Sequence, residues 1–240
     1  MEELIEYIYR KEITTTFCSD ALDKHGVIPN CHRISINTEV KDEIICGKIY
    51  PIFVANGSNY ALHEQIRNVP EESICVVFSY NINNISIFGS LVADYLFKTK
   101  KIKALVVHGF IRDAFEIQKS GYPIWCMGLN PIGCSNTKAP SFPEEEVIRL
   151  KNIYEGGLAI CDSCGVVAIP SYLVKKKELM INKMEKINDR EVIWDYCINN
   201  LGWDTFDTII LKSYLETNKK LQWDDRLNYL VKEYKKKYHE

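Results

Sequence analysis

A positively charged residue and a negatively charged residue stand side by side directly after an apolar run. Residues 104–117 read ALVVHGFIRDAFEI, in which Arg112 and Asp113 follow residues typical of a buried strand. The planar guanidinium of an arginine matches the geometry of a carboxylate, and an aspartate offers oxygen ligands to a divalent cation. Together the two groups could hold an α-keto acid, with its carboxylate on Arg112 and a metal across the carboxylate and keto oxygens.

The same spacing also fits a purely structural role. The pattern from Asp113 to Glu116 matches a capping box, in which Asp113 would cap the helix that carries Phe115 and Ile117. Arg112 would then be an ordinary surface residue. Spacing alone favours this structural interpretation, because capping patterns are common at the starts of helices.

The elements before Arg112 form a pattern of strand, helix and strand. Residues 73–80 and 102–107 are short apolar runs, and the segment between them becomes helical after Gly89. This pattern predicts a βαβ unit with a parallel pair of strands. Ligands of open α/β sheets bind outside the carboxyl ends of such strands, which is where Arg112 and Asp113 are expected.

Further elements are predicted on both sides of this unit. Strands are expected at residues 44–54 (with a break at Pro51) and 122–128, a hairpin at 157–162 and 165–170, and helices at 2–9, 14–26, 60–68, 171–200 and 206–240. A loop is expected at roughly 129–143. Because the apolar runs are continuous, the sheet should be covered by helices on both faces.

The composition argues against several classes of protein. The 240 residues are 46% hydrophobic and 26% charged, with a net charge of −2, so a nucleic-acid partner is not expected. No apolar run approaches the roughly 20 residues of a membrane helix, and the first residues, MEELIEYIYRKE, do not resemble a signal peptide. We therefore expect a cytoplasmic protein without a membrane partner, whose nine cysteines are mostly reduced.

Six segments occur in the order of the motifs of a known family. They are TTTFCSDALDKHG (14–26), CGKIYPIF (46–53), FGSLVADYL (88–96), HGFIRDAFEIQKSGYPIW (108–125), CDSCGVVAIP (161–170) and NDREVIWDYCINNLG (188–202). Together they resemble the RraA-like family, which includes the regulator of ribonuclease E activity and metal-dependent class II aldolases acting on 4-hydroxy-4-methyl-2-oxoglutarate and 4-carboxy-4-hydroxy-2-oxoadipate. The resemblance implies an α/β fold, an RraA-like α/β/α sandwich with a central sheet, over residues 1–201. Residues 202–240 would form a helical C-terminal extension.

The resemblance also implies roles for individual residues. In the family's aldolases, the arginine matching Arg112 binds the substrate carboxylate, and the aspartate matching Asp113 helps to hold Mg²⁺ or Mn²⁺. The loop that offers backbone N–H groups to this carboxylate corresponds to Gly89, Ser90, Leu91 and Val92. The implied substrate is a small oxo-acid, which is split through a pyruvate enolate by aldol cleavage or β-decarboxylation.

One position departs from the pattern of the aldolases. They carry an aspartate that assists proton transfer where this chain has Ser90. Asp94 lies one helical turn later and could reach the same region, or it could be a solvated helix residue. The non-catalytic regulator, in contrast, keeps the loop acid and lacks the metal-binding aspartate. The presence of Asp113 therefore favours a retained metal site, although the substitution leaves its chemistry open.

The C-terminal helix offers a further candidate for the site. In the family, a glutamate of this region reaches the site of a neighbouring subunit, and Glu191 matches it better than Glu185 does. The resemblance thus implies a homotrimer or homohexamer. Either glutamate could instead pair with a basic residue on the helix surface.

These observations leave three hypotheses of function. The leading hypothesis is a divalent-metal-dependent lyase acting on an α-keto acid, and the alternatives are a non-catalytic regulator that binds a protein partner and a metal enzyme of this fold with another small-molecule reaction. A separate signal, the pair Cys161 and Cys164, is either a redox or zinc motif or simply part of the predicted hairpin. Its position on a hairpin favours the structural interpretation.

Overall fold

The computed structural model describes residues 1–34, 43–216 and 221–239. The chain divides into two compact units, Met1–Met180 and Ile181–Glu240. The strands are β1 (His32–Arg33), β2 (Ile45–Ala55), β3 (Ile74–Tyr80), β4 (Ala104–Ile111), β5 (Ile124–Leu129), β6 (Leu158–Asp162) and β7 (Gly165–Ile169). The helices are α1 (Glu2–Arg10), α2 (Thr15–Ala21), α3 (Tyr60–Gln65), α4 (Ser90–Asp94), α5 (Ala114–Ser120), α6 (Glu144–Tyr154), α7 (Ser171–Val174), α8 (Lys177–Asp195) and α9 (Asp225–Tyr238).

All seven strands form one mixed sheet in the first unit. Their order is β1-β5-β4-β3-β2-β6-β7, and β2, β3, β4 and β5 are parallel. Strands β1 and β6 run antiparallel to their neighbours at the two ends of this parallel block, and β7 completes a hairpin with β6. The parallel β3–β4 pair confirms the predicted βαβ unit.

Helices cover both faces of the sheet. On one face, Val77 and Leu105 pack with Leu62, Leu96 and Ile117 from the helices on that side. On the other face, alternate residues of the same strands pack against α6 and the segment before β1; they include Val76, Val106, Trp125, Leu150 and Ile28. Because successive side chains of a strand point to opposite faces, burial of both faces requires the continuous apolar runs seen in the sequence.

The predicted break at Pro51 is wrong, because β2 runs unbroken from Ile45 to Ala55. The backbone N–H groups of Ile49 and Phe53 point away from β3, towards the carbonyl of Gly157 and the side chain of Gln65. Pro51 lies between them with the same orientation. A residue at position 51 would not donate a hydrogen bond to β3, so the missing N–H group of Pro51 does not interrupt the pairing. The parallel ladder therefore continues past the proline.

The predicted helices differ in detail from those of the structure: residues 171–200 contain α7, α8 and a π-helical turn, and the described part of 206–240 contains a π-helical turn, a 3-10 turn and α9. The predicted helix at 14–26 is α2, which ends at Ala21, because Asp23 and Lys24 adopt the left-handed conformation before Gly26 is reached. The helix after Gly89 begins as α4 and continues as a π-helical turn, Tyr95–Thr99. No helix among the described residues is long and apolar enough to cross a membrane.

The second unit has a hydrophobic core of its own. Its elements are the main part of α8, π-helical turns at Tyr196–Asn200 and Phe206–Ile210, a short 3-10 turn at Ser213–Leu215, and α9. Ile193, Cys197, Trp203, Tyr214 and Leu227 are buried together in this core. The domain boundary that the motifs place after residue 201 stays a prediction.

A buried carboxylate connects the N-terminal segment to the β6–β7 hairpin. The side chain of Asp162 accepts hydrogen bonds from the backbone N–H and the hydroxyl of Thr15, both at 2.7 Å, and from the N–H of Cys164 at 2.9 Å. Cys161 is buried in β6, whereas Cys164 is exposed in the turn. The pairing of β6 with β7 confirms the predicted hairpin, on which the structural interpretation of the cysteine pair depends.

Removing the hydroxyl of Thr15 should destabilise the fold. We expect Thr15→Val to lower the free energy of unfolding by about 2 kcal/mol, because a buried carboxylate loses a charge-assisted hydrogen bond. The neighbouring Thr16 is exposed, so Thr16→Val is a matched control that should change stability by less than about 0.5 kcal/mol. Urea unfolding of the two variants measures the difference, and equal losses would contradict this role of Asp162.

Candidate active site at the carboxyl end of β4

The site lies where β4 ends and α5 begins. The strand continues to Ile111, beyond the predicted residue 107, and the N–H of Arg112 donates to the carbonyl of Phe88 at 3.0 Å. Asp113 then turns the chain into α5 in the left-handed conformation, with φ of 60°. Aspartate is one of the non-glycine residues that adopt this conformation most readily.

Asp113 holds the capping position of α5 but does not cap it. Its side chain makes no hydrogen bond to the first turn of α5. Instead, the carboxylate Oδ2 accepts the backbone N–H of Ser90 at 3.0 Å, with the Ser90 hydroxyl at 3.4 Å. The capping interpretation of Asp113 is therefore wrong, because the carboxylate faces the loop before α4.

Gly89 makes this approach of Asp113 to the loop possible. A Cβ atom at Gly89 would lie 1.9 Å from Oδ2 of Asp113 and 3.0 Å from Cγ of Arg112. Such distances are far below van der Waals contact, so any side chain at this position would displace the aspartate. The glycine that the sequence marks as a helix start is thus also required for close contact with the charged pair.

The guanidinium of Arg112 lies between Asp113 and the loop after β5. Its Nε atom is 3.9 Å from Oδ1 of Asp113, and both side chains are partly exposed. On the other side, a Cβ atom at Gly133 would lie only 2.7 Å from Nη1 of Arg112. A cation and an anion are therefore presented together at an accessible point, which suits a ligand with a carboxylate for Arg112 and a hydroxyl or a bound cation for Asp113.

The oxygen atoms at this point limit the kind of metal that would fit. Within residues 1–34, 43–216 and 221–239, no group of three or more His, Cys, Asp or Glu side chains is arranged to hold a metal ion. The Oδ2 atom of Asp113 accepts the hydrogen bond from the N–H of Ser90, and its Oδ1 atom lies on the side of Arg112. One carboxylate fits Mg²⁺ or Mn²⁺ bound mainly by water and substrate oxygens, and it does not fit a fully protein-ligated site such as structural zinc.

Asp94 has partners of its own on α4. Its carboxylate accepts hydrogen bonds from Lys98 and from the hydroxyl of Tyr122, both at 2.8 Å. The hydrogen bond from Lys98 lowers the pKa of Asp94 most, and the hydrogen bond from Tyr122 lowers it further. An anion stabilised in this way is a weak base, so these contacts do not support a proton-transfer role for Asp94. Asp94 and Ser90 both line a surface cavity of about 360 Å³.

The remaining loop residues, Leu91 and Val92, belong to the first turn of α4. The first N–H groups of a helix have no acceptor within the helix and can face an anion. The N–H of Ser90, which the resemblance assigns to the substrate carboxylate, instead donates to Asp113. Leu91 is exposed beside it.

The two candidate glutamates lie on α8, in the second unit. Glu185 forms an ion pair with Lys237 of α9 at 3.2 Å. Glu191 is partly buried. The participation of Glu191 in a shared site stays a prediction.

Sequence reasoning missed two residues near Arg112. Gly133 lies against its guanidinium, and the buried Ser86 holds the loop that contains Gly133. Gly133 falls in the predicted loop at 129–143, but nothing in its sequence spacing connects it with Arg112. Only the path of the chain after β5 brings the two residues together.

The fold and this site define an α/β protein that presents an arginine–aspartate pair at the carboxyl end of a parallel strand. The family model described as RraA-like, Aldolase/RraA, matches residues 15–168, which is more than half of the chain. The chain therefore belongs to the RraA-like family. This match confirms the family inferred from the six sequence motifs.

Similar proteins occur among several bacteria. Protein DlpA of Legionella pneumophila is 27% identical over 169 residues, an alignment that covers 64% of this chain and 25% of DlpA, so the chain spans about a quarter of that protein.

A crystal structure of a Pseudomonas syringae protein has a TM-score of 0.59 at 18% identity, with 87% of this chain and 96% of that chain covered. RraAS2 of Streptomyces coelicolor, described as an unusual member of the RNase ES inhibitor RraA family, has a TM-score of 0.59 at 19% identity, with 80% and 96% covered. These structures support the α/β fold.

Substitution of Gly89 should break the contact between the loop and Asp113. We expect the amide of Ser90 to lose protection from hydrogen exchange in Gly89→Ala, because the new methyl group occupies the position of the Asp113 carboxylate. Ser90→Ala is the matched control, since it removes the hydroxyl at 3.4 Å but keeps the N–H donor. Hydrogen exchange followed by mass spectrometry measures both, and normal protection at residue 90 in Gly89→Ala would contradict the geometry.

Proposed function

We propose that this protein is a divalent-metal-dependent lyase that cleaves a carbon–carbon bond of an α-keto acid and releases pyruvate or a related product. The observation that carries the proposal is the orientation of Asp113. Its carboxylate turns away from α5, where it would stabilise a helix, and lies beside Arg112. A helix cap needs no neighbouring cation, whereas the proposed site would use Arg112 for the substrate carboxylate and Asp113 for a divalent cation.

Arg112 is proposed to bind the carboxylate of the substrate. Its guanidinium is partly exposed and its Nε lies 3.9 Å from Asp113, which is too far for a hydrogen bond. The N–H donors therefore remain available to a ligand. The positive charge also stabilises the enolate that forms when the adjacent carbon–carbon bond breaks.

Asp113 is proposed to hold Mg²⁺ or Mn²⁺ through its carboxylate, with Ser90 fixing the orientation of Oδ2. A divalent cation bound here would supply Lewis acidity for the keto group of the substrate. The N–H of Ser90 thus donates to Asp113, and we propose that the N–H groups of Leu91 and Val92 donate to the substrate carboxylate.

The missing loop acid favours decarboxylation over aldol cleavage. Aldol cleavage needs a base that removes the hydroxyl proton of the substrate, but Ser90 carries no charge and Asp94 is paired with Lys98. Loss of CO₂ from a β-keto acid such as oxaloacetate requires no such base. The electron pair of the broken bond passes to the keto oxygen, and the resulting enolate takes its proton from solvent.

The lyase hypothesis predicts that oxaloacetate is converted to pyruvate in the presence of Mg²⁺ or Mn²⁺. Arg112→Lys should lower kcat/KM about a hundredfold, because an ammonium group cannot replace the bidentate fork. Asp113→Asn should weaken binding of Mn²⁺, which electron paramagnetic resonance measures without turnover. Pyruvate release is followed with a panel of oxo-acids that includes 4-hydroxy-4-methyl-2-oxoglutarate.

Matched controls separate enzymatic turnover from the reaction of free metal ions. Arg149→Lys and Asp225→Asn make the same chemical changes on α6 and α9 and should keep wild-type rates. Rates in Arg112→Lys equal to those of wild type would contradict the role of Arg112. Metal binding without any pyruvate release would reject the lyase and favour another reaction in this fold.

We also propose that a second copy of the chain covers this site, as part of a three-fold assembly. Large apolar side chains close in the chain to residues of the site are exposed, namely Leu91 (83%), Phe115 (74%) and Ile132 (62%). Isolated exposed apolar residues are ordinary, but three of them close to one polar site form a surface typical of an interface. A neighbouring copy would bury them and exclude water from the substrate.

A charge in this apolar surface should therefore dissociate the assembly. We expect Phe115→Glu to shift sedimentation from a trimer or hexamer towards a monomer, since the carboxylate would be buried on association. Ile148→Glu on α6 is the matched control, because Ile148 is also exposed but lies on the other face of the sheet. Wild-type protein that sediments as a monomer would contradict the assembly.

A further inference from the structure

A fully buried serine, Ser86, forms hydrogen bonds to the loop that follows β5. Ser86 accepts the N–H of Cys134 at 2.8 Å and donates its own N–H to Ile132 at 2.7 Å. Its hydroxyl donates to the carbonyl of Asn130 at 2.5 Å. One side chain and its backbone thus engage three positions of a five-residue loop, Asn130 to Cys134.

The same loop is fastened at its other edge. The N–H of Asn130 donates to Ile111, the last residue of β4, at 3.0 Å, and the Asn130 side chain accepts the N–H of Ile132 at 2.8 Å. Further along, the N–H of Ser135 donates to Gly57 at 2.9 Å. With both edges bonded, the loop has little freedom to move relative to β4.

The guanidinium of Arg112 rests on this loop at Gly133. A Cβ atom added there would lie 2.7 Å from Nη1 and 3.3 Å from Cζ, so the Gly133 backbone lies directly against the planar group. Gly89 lies close to the aliphatic part of the same side chain, because a Cβ atom added to Gly89 would be 3.0 Å from Cγ of Arg112. Two glycines therefore leave room for the two ends of one arginine.

We propose that residues 130–134 form a backbone shelf that fixes the guanidinium of Arg112 for an anionic ligand, and that Ser86 and Gly133 are its positioning residues. The proposal rests on the proposed function in that the ligand is the carboxylate of an oxo-acid. A half-exposed arginine otherwise loses side-chain entropy when it binds. A shelf that holds the group in place beforehand removes part of this cost, and Asp113 at 3.9 Å is too distant to do so alone.

Two variants test the shelf through different atoms. Gly133→Ala places a methyl group under the guanidinium, and Ser86→Ala removes the bond to Asn130 without touching Arg112. In both variants we expect the Kd of oxalate, a stable analogue of the pyruvate enolate, to rise about fivefold. Mn²⁺ affinity in the absence of oxalate should not change, because Asp113 and Ser90 are untouched.

A second readout does not require any ligand. The rate at which phenylglyoxal modifies Arg112, followed by peptide mass spectrometry, should rise in both variants because the guanidinium is released from the loop. Gly47→Ala and Ser73→Ala are matched controls and should keep the wild-type rate, since neither residue contacts Arg112 and Ser73 is likewise a buried serine whose hydroxyl donates to a backbone carbonyl, that of Pro70. Thermal unfolding of each variant identifies any loss that comes from general destabilisation.

The outcomes separate the shelf from the proposed function. An unchanged modification rate of Arg112 in Gly133→Ala would overturn the shelf, whatever happens to oxalate binding. A raised modification rate in a protein whose wild type does not bind oxalate would support the shelf and reject the oxo-acid ligand. A raised rate together with weaker oxalate binding and unchanged Mn²⁺ affinity would support both.

Discussion

The hydrogen bond from the N–H of Ser90 to the carboxylate of Asp113 is the interaction on which the site depends. It joins the start of α4 to the end of β4, two elements that are adjacent in space because β3 and β4 are parallel neighbours. It also turns the carboxylate away from α5 and towards Arg112. Without Gly89 the bond could not form, since the space for the carboxylate exists only where a side chain is missing.

Much of the fold could be predicted because its physical cause is local. The runs at 73–80 and 102–107 are apolar throughout, since both faces of β3 and β4 are buried, and a helix between them leaves a parallel pair as the simple solution. The hairpin of β6 and β7 follows from its short turn. Pro51 was misjudged because its effect depends on which neighbour its missing N–H would face, and a single strand does not reveal its neighbours.

The position of Arg112 and Asp113 at the end of a strand could be predicted from the sequence, but the geometry of this candidate site could not. Arg112 and Asp113 follow an apolar strand, which is a local pattern. The sequence around Asp113 has the pattern of a capping box, and this pattern does not reveal that Asp113 adopts the left-handed conformation. Its side chain turns towards Ser90, which is distant in the chain. Gly133 reaches Arg112 through the return of the chain after β5, and Ser86 holds the returning loop through hydrogen bonds to Asn130, Ile132 and Cys134. Contacts between residues so far apart in the chain leave no periodic signal.

In the proposed lyase, Ser90 at the place where the resemblance implies an acid would have an electrostatic consequence for substrate binding. An aspartate at position 90 would bring a second carboxylate close to Asp113, and the two negative charges would favour a divalent cation between them. Ser90 leaves one carboxylate beside the positive charge of Arg112, so the protein alone would hold a cation more weakly. A substrate that carries its own carboxylates supplies the missing negative charge. Within the proposed lyase, binding of metal and a dicarboxylic oxo-acid should therefore be coupled, with each strengthening the affinity for the other.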